Sequence, residues 1–270
     1  MKRLLFATLF LASASVANAT ITSSTTHAPG GNDLNGEIAV GDAISGLVAT
    51  ELAPSNGWHP ATPGEPERLE AFTDDAGPIS GLTGLLNDFP PNVGDPTKTL
   101  QYDLASPTKI GEIQILAGNF GTDGRVFLNT RILYSTDNGA NFLPLGGYVP
   151  GIGFNTEGYY QSDASGVVNN ATTNMWQATL LEVFNDTGEA LASDVTNLQI
   201  EIYPADNTQG QNRDPFDGIN PYTGVDDTLT AAAVSPLIWE IDVIAVPEPS
   251  SIALVGLAVV GLGFAARRRR

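Results

Sequence analysis

Period-two alternation constrains this chain more than any other feature of it. Leu100-Gln101-Tyr102-Asp103-Leu104, Ile113-Gln114-Ile115, Leu198-Gln199-Ile200-Glu201-Ile202-Tyr203 and Trp239-Glu240-Ile241-Asp242-Val243 each set apolar residues against polar ones in turn. Successive side chains of a strand point to opposite faces, so each run buries one face and wets the other, the habit of antiparallel sheets. Turn-forming clusters separate the runs at residues 105–107, 119–124, 137–139 and 206–217. Helical patterning is absent and no internal repeat is visible. The expected fold class is all-β, an antiparallel sandwich.

Residues 20–79 read as a lead-in and then the first strands. Residues 20–36 are rich in Thr, Ser, Gly and Asn and read as extended; residues 37–50 carry enough Ile, Val and Leu for one or two short strands. Prolines at 60, 63 and 66 make residues 56–68 a loop. The regular β signals span residues 80–245, a length that suits one domain.

Composition then removes whole classes of function. The 270 residues include no cysteine, which excludes disulfides, thiol catalysis and Cys-based zinc sites. Six of the 12 basic residues lie in residues 20–246, against 29 of the 30 acidic ones, a formal charge of −23 for that region. Nucleic acid is not an expected partner, because phosphate binding needs clustered Lys and Arg. Such acidity suits calcium and extracellular solubility.

The ends carry address labels. Residues 1–19 have a basic start, an apolar run and a small-residue ending (Ala17-Asn18-Ala19), a cleavable signal for signal peptidase. At the other end, Pro247-Glu248-Pro249 precedes an apolar run from Ile252 to Ala266 and then Arg267, Arg268, Arg269 and Arg270. About 17 apolar or small residues at roughly 1.5 Å each span about 25 Å, a little less than a bilayer core. The expectation is a C-terminal transmembrane helix whose arginines stop transfer on the cytoplasmic side. The two prolines keep the junction extended and open to a protease. Residues 246–270 resemble the PEP-CTERM sorting signal. That resemblance implies processing by an exosortase-type enzyme, temporary membrane attachment, and delivery to the cell envelope, its surface or an exopolysaccharide and biofilm matrix.

A second resemblance covers residues 80–245. Leu86-Asn87-Asp88, residues 100–104 and 109–116, the Arg131–Phe142 segment with its Ser135-x-Asp137-x-Gly139 turn, residues 195–203 and residues 239–243 are similar in order to the discoidin-like, galactose-binding-type jelly roll. Phe89-Pro90-Pro91 replaces the Gly usual after Asp88, and residues 153–174 are long for the family. The resemblance implies carbohydrate binding and a structural Ca²⁺, with Asp88 and Glu240 at the matching positions. The plain alternatives are a turn cap for Asp88 and a water-facing strand residue for Glu240. Trp58, His59, Arg125, Tyr159 and Tyr160, with Tyr222, are loop-like candidates for stacking on sugar rings or binding hydroxyls.

Catalysis finds little support. His27 and His59 are the only histidines, and no nucleophile motif accompanies them. No pair of carboxylates stands out for glycoside hydrolysis. The expected function is non-catalytic: an exported protein that binds or organises extracellular polysaccharide. A surface adhesin for protein partners is the alternative, and a matrix glycan hydrolase a more distant one.

Overall fold

The computed structural model describes residues 20–62, 64, 68–120, 125–146, 157–163, 176–205 and 213–246. Pro247-Glu248-Pro249, the apolar run and the four arginines therefore lie outside the described residues. Among those described, no helix is long and apolar enough to cross a membrane.

The described residues are all-β. They form nine strands, in order β1 (Ile21–Ala28), β2 (Thr50–Leu52), β3 (Lys98–Gly118), β4 (Asn129–Ser135), β5 (Leu143–Pro144), β6 (Tyr159–Gln161), β7 (Ala178–Asn185), β8 (Ala192–Tyr203) and β9 (Ile238–Ala245). Every pairing between them is antiparallel. Short 3-10 turns occur at Asn35–Glu37 and Leu69–Phe72.

The 21-residue β3 organises both layers. Its first half lies between β2 and β8, and β4 with β5 and β6 continues that layer. Its second half lies between β7 and β9, and β1 closes the far edge on β7. The register against β8 jumps from Asp103 to Thr108 and again to Ile110. A bulge at this point bends a strand and increases its twist, which carries β3 from one layer to the other. The turn expected at residues 105–107 is thus a bend within one continuous strand. The lead-in expected at 20–36 likewise contains a full edge strand.

Inward-facing residues of the two layers make one core. Leu100, Tyr102, Ile132, Leu198, Ile200 and Ile202 of the first layer meet Ile113, Ile115, Leu181, Val183, Ile241 and Val243 of the second. The exception to simple alternation is β9. Ile238 faces Ala117 and Glu240 faces Leu116, which leaves Trp239 as an extra residue. Trp239 therefore turns away from Ile241 and Val243 and packs with Ala28, Leu34, Leu116, Ala178 and Leu180. A Cβ on Gly118 would come within 2.0 Å of its ring, so that glycine makes the room. The outer face of the second layer is consequently covered, and residues on it that were expected to meet water do not.

Candidate functional site

Glu240 and Asp242 project from that outer face, opposite Leu116 and Gln114 of β3. Their residues are 0% and 2% exposed. Residues 38–49 and the loop at residues 73–77 lie over them, and each brings further acids. Asp242 Oδ2 accepts the Ala39 N–H at 3.0 Å. Asp42 Oδ1 accepts from Ile44 N–H at 2.7 Å and Val243 N–H at 3.0 Å. Asp75 Oδ2 accepts from Gly41 N–H and the Ser45 hydroxyl. The Asp75 N–H reaches Glu240 Oε1 at 3.4 Å, and Asp74 hydrogen-bonds the Glu240 carboxyl.

These bonds use only part of the oxygen inventory. Asp42 Oδ2, Asp75 Oδ1, Glu240 Oε2 and Asp242 Oδ1 are buried with no hydrogen-bond partner, as are the amide oxygens of Asn35 and Gln114. Buried acceptors left unsatisfied are costly, and charged ones more so. Burial pushes the Glu240 carboxyl up to about 9, helped by the charges of Asp242, Asp74 and Asp75. Asp242 is raised to about 7 by burial and by Asp42, Asp75 and Glu112. Asp42 and Asp74 are raised too, burial again leading. Among the described residues, no group of three or more His, Asp or Glu side chains is placed to hold a metal ion. A cation here would have to use carboxylates in pairs together with the neutral oxygens of Asn35 and Gln114.

The other expected calcium residue stands in different surroundings. Both oxygens of Asp88 are taken by the Arg125 guanidinium at 2.8 Å, and Oδ1 also accepts the Ser235 N–H at 3.0 Å. Burial would raise this carboxyl, but Arg125 and Ser235 outweigh it and hold it below the usual range. Arg125 also donates to the Ser235 carbonyl, so the fork ties three segments together. Asp88 and Glu240 share none of these partners. The loop acids beside Glu240 are Asp74 and Asp75, which sequence reasoning missed: Asp75 sits 165 residues away, in a segment without strand patterning. Alternation gives no sign of this, since Trp239 and Ile241 on either side of Glu240 assign its face to water.

The expected sugar-stacking residues divide in the same way. Trp58 bridges to Leu86, stacks on Phe72 at 5.6 Å and has Lys98 Nζ 4.6 Å from its ring, so it plugs the sandwich end. His59 Nδ1 accepts the Ala61 N–H in the adjoining loop. Tyr159 and Tyr160 are not in a loop; they form β6, and both are buried. Tyr160 donates to the Leu145 carbonyl. Tyr159 stacks beneath the half-buried Tyr222 at 4.9 Å, with Arg131 5.3 Å from the Tyr222 ring. Arg131 and Tyr222 are thus brought together, whereas Arg125 stands with Asp88. His27, placed on β1, has both ring nitrogens engaged, by Thr179 and by the Asp163 carbonyl.

β9 ends at Ala245, and comparison with protein families identifies the C-terminal segment beyond it. Residues 245–270 match the model of the PEP-CTERM protein-sorting motif. The chain carries an exosortase sorting signal. The PEP-CTERM motif marks it as an exported protein, addressed to the envelope or surface and processed by an exosortase. The sorting motif starts where the last core strand ends, so the folded part hands directly over to the signal. No curated protein matches the chain.

Proposed function

We propose that this PEP-CTERM protein is a non-catalytic component of the extracellular matrix, a discoidin-like sandwich that binds the cell's own polysaccharide and is stabilised by calcium. The observation that carries the reading is the sorting motif joined directly to an acidic β-sandwich. Asp75, Glu240 and Asn35 would hold the ion, since each keeps a buried oxygen without a partner. Calcium takes six to eight hard oxygens and would supply the charge that these carboxylates lack. Arg131 and Tyr222 offer a cation beside a partly open aromatic ring, the chemistry that sugar hydroxyls and ring faces use.

The test is retention of the purified chain on exopolysaccharide from the producing cells, with calcium and with chelator. Retention that calcium strengthens is expected; no retention in either condition overturns the reading. Phe89 is 74% exposed and Val93 64% exposed on one loop, which favours a protein partner as the second reading. Cell clumping that depends on Phe89 and not on glycan would support it.

A further inference from the structure

One divalent ion beside Glu240 leaves most of this buried charge unanswered. Asp42, Asp74, Asp75, Glu240 and Asp242 are near enough to interact through their charges, and a single doubly charged cation offsets two of them. The unpartnered oxygens also stand at two positions along β9. Glu240, with the Asp75 N–H on it, lies opposite Leu116. Asp242 lies opposite Gln114, whose Oε1 is likewise unpartnered, while Asp42 accepts from the neighbouring Val243 N–H and keeps its Oδ2 free. Glu240 and Asp242 are alternate residues on one strand, so their Cα atoms stand about 7 Å apart. That spacing gives two ions separate ligands.

The second position has the makings of a site. Asp242 and Gln114 are 2% and 8% exposed and directly opposite each other on β9 and β3. Gln114 donates its amide N–H to Glu112 Oε1 at 2.7 Å, which fixes the side chain and leaves its oxygen unpaired. Asp42 and Asp242 each spend one oxygen on backbone N–H groups that join residues 38–49 to β9, and each keeps the other. An open groove of about 310 Å³, lined by Ala39 to Ala43 with Ile244 and Ala245, has Asp42 in its wall.

We propose that Asp42, Asp242 and Gln114 form a second hard-cation site, taking Ca²⁺ with water completing its shell, and that this ion latches residues 38–49 onto the last core strand. Three hard oxygens from three separate segments suit a flexible, partly hydrated calcium. The latch lies just before the sorting motif, so its ion orders the end of the domain from which the signal departs. This inference rests on the calcium reading of Glu240 but uses different ligands.

Calorimetric titration of the chelator-stripped chain with CaCl₂ decides it. Two ions are expected for the natural chain. Asp242→Asn and Asp42→Asn should each bind one, and Glu240→Gln should keep the Asp42 ion. Asp42→Asn retains an oxygen for the Ile44 and Val243 N–H groups, so it remains informative where Asp242→Asn fails to fold. The natural chain should also become resistant to proteolysis within residues 38–49 when calcium is added, a protection that Asp42→Asn abolishes. One ion in the natural chain, unaffected by Asp42→Asn and lost in Glu240→Gln, overturns the second site and leaves the first. No ion at all overturns both.

Discussion

Asp88 is a half-buried acid and Glu240 a fully buried one, and their surroundings are opposites. Asp88 meets a bidentate guanidinium and a backbone N–H, and its carboxyl is held below the usual range. Glu240 meets other acids and a single backbone N–H, and its carboxyl is raised to about 9. A charge removed from water can be answered by a partner inside the protein, or it can be left to something the solvent brings, a proton or a metal ion. With six basic residues against 29 acidic ones in residues 20–246, most acids have no Lys or Arg to pair with. The chain answers Asp88 with Arg125 and leaves the β9 group open.

The largest effect should come from breaking the internal answer. Arg125→Met leaves Asp88, whose side chain is 17% exposed, with the Ser235 N–H donor and without its guanidinium. Removing one partner of a fully buried pair costs about 3–5 kcal/mol, and with side chains 11% and 17% exposed this pair belongs at the lower end of that range. Chemical denaturation at neutral pH should show a loss of that size, and the loss should shrink as acid protonates Asp88. A depressed carboxyl contributes stability that is present above its unfolded pKa, near 4, and is lost as pH falls through the folded value. A loss below about 1 kcal/mol at neutral pH would place Asp88 with the solvent-answered acids and collapse the contrast.

The β9 group should behave the other way round. Its carboxyls take up protons on folding, so the stability they allow is fully present below about pH 4 and drains away as pH rises through about 7 for Asp242 and about 9 for Glu240. The calcium-free chain should therefore melt at progressively lower temperature between pH 5 and pH 9 (~4 units of pH). Each tenfold difference in proton affinity is worth about 1.4 kcal/mol, or about 3–6 °C in Tm for a domain of this size. Saturating calcium should flatten the slope, because a bound cation replaces the protons. A flat profile without calcium would show that these acids are hydrated after all.

How far this contrast could be read in advance differs between its halves. The strands were legible because alternation is local: residues 100–103, 113–115 and 198–203 all lie on strands with their apolar members in the core. The Ser135–Gly139 turn was legible for the same reason. The Asp137 and Gly139 N–H groups donate to the Ser135 hydroxyl oxygen, and Asn138 and Gly139 take the positive φ values that a tight hairpin requires. The acid group was not legible, since Asp42, Asp74 and Asp75 come from segments with no period, 165 or more residues before their partners on β9. The bulge at Trp239 hid the rest. One extra residue put the tryptophan on the face assigned to water and so roofed over Glu240 and Asp242.

The smallest expected effect calibrates the first. Arg131 also pairs with an acid, Glu201, but through one contact at 3.6 Å, with side chains 22% and 17% exposed. Its guanidinium lies 5.3 Å from the Tyr222 ring and its Nε donates to the Glu157 carbonyl. A long single contact near solvent is worth about 1 kcal/mol or less, and salt screens it. Arg131→Met should therefore cost about that much in low salt and less at about 0.5 M NaCl, whereas the Arg125→Met loss should hardly respond to salt. Equal losses from the two substitutions would mean that the bidentate fork and its burial do not set Asp88 apart. A small, salt-sensitive loss at Arg131 beside a large, salt-insensitive one at Arg125 would locate the domain's internally answered charge in that fork, and leave the β9 acids to the ions outside.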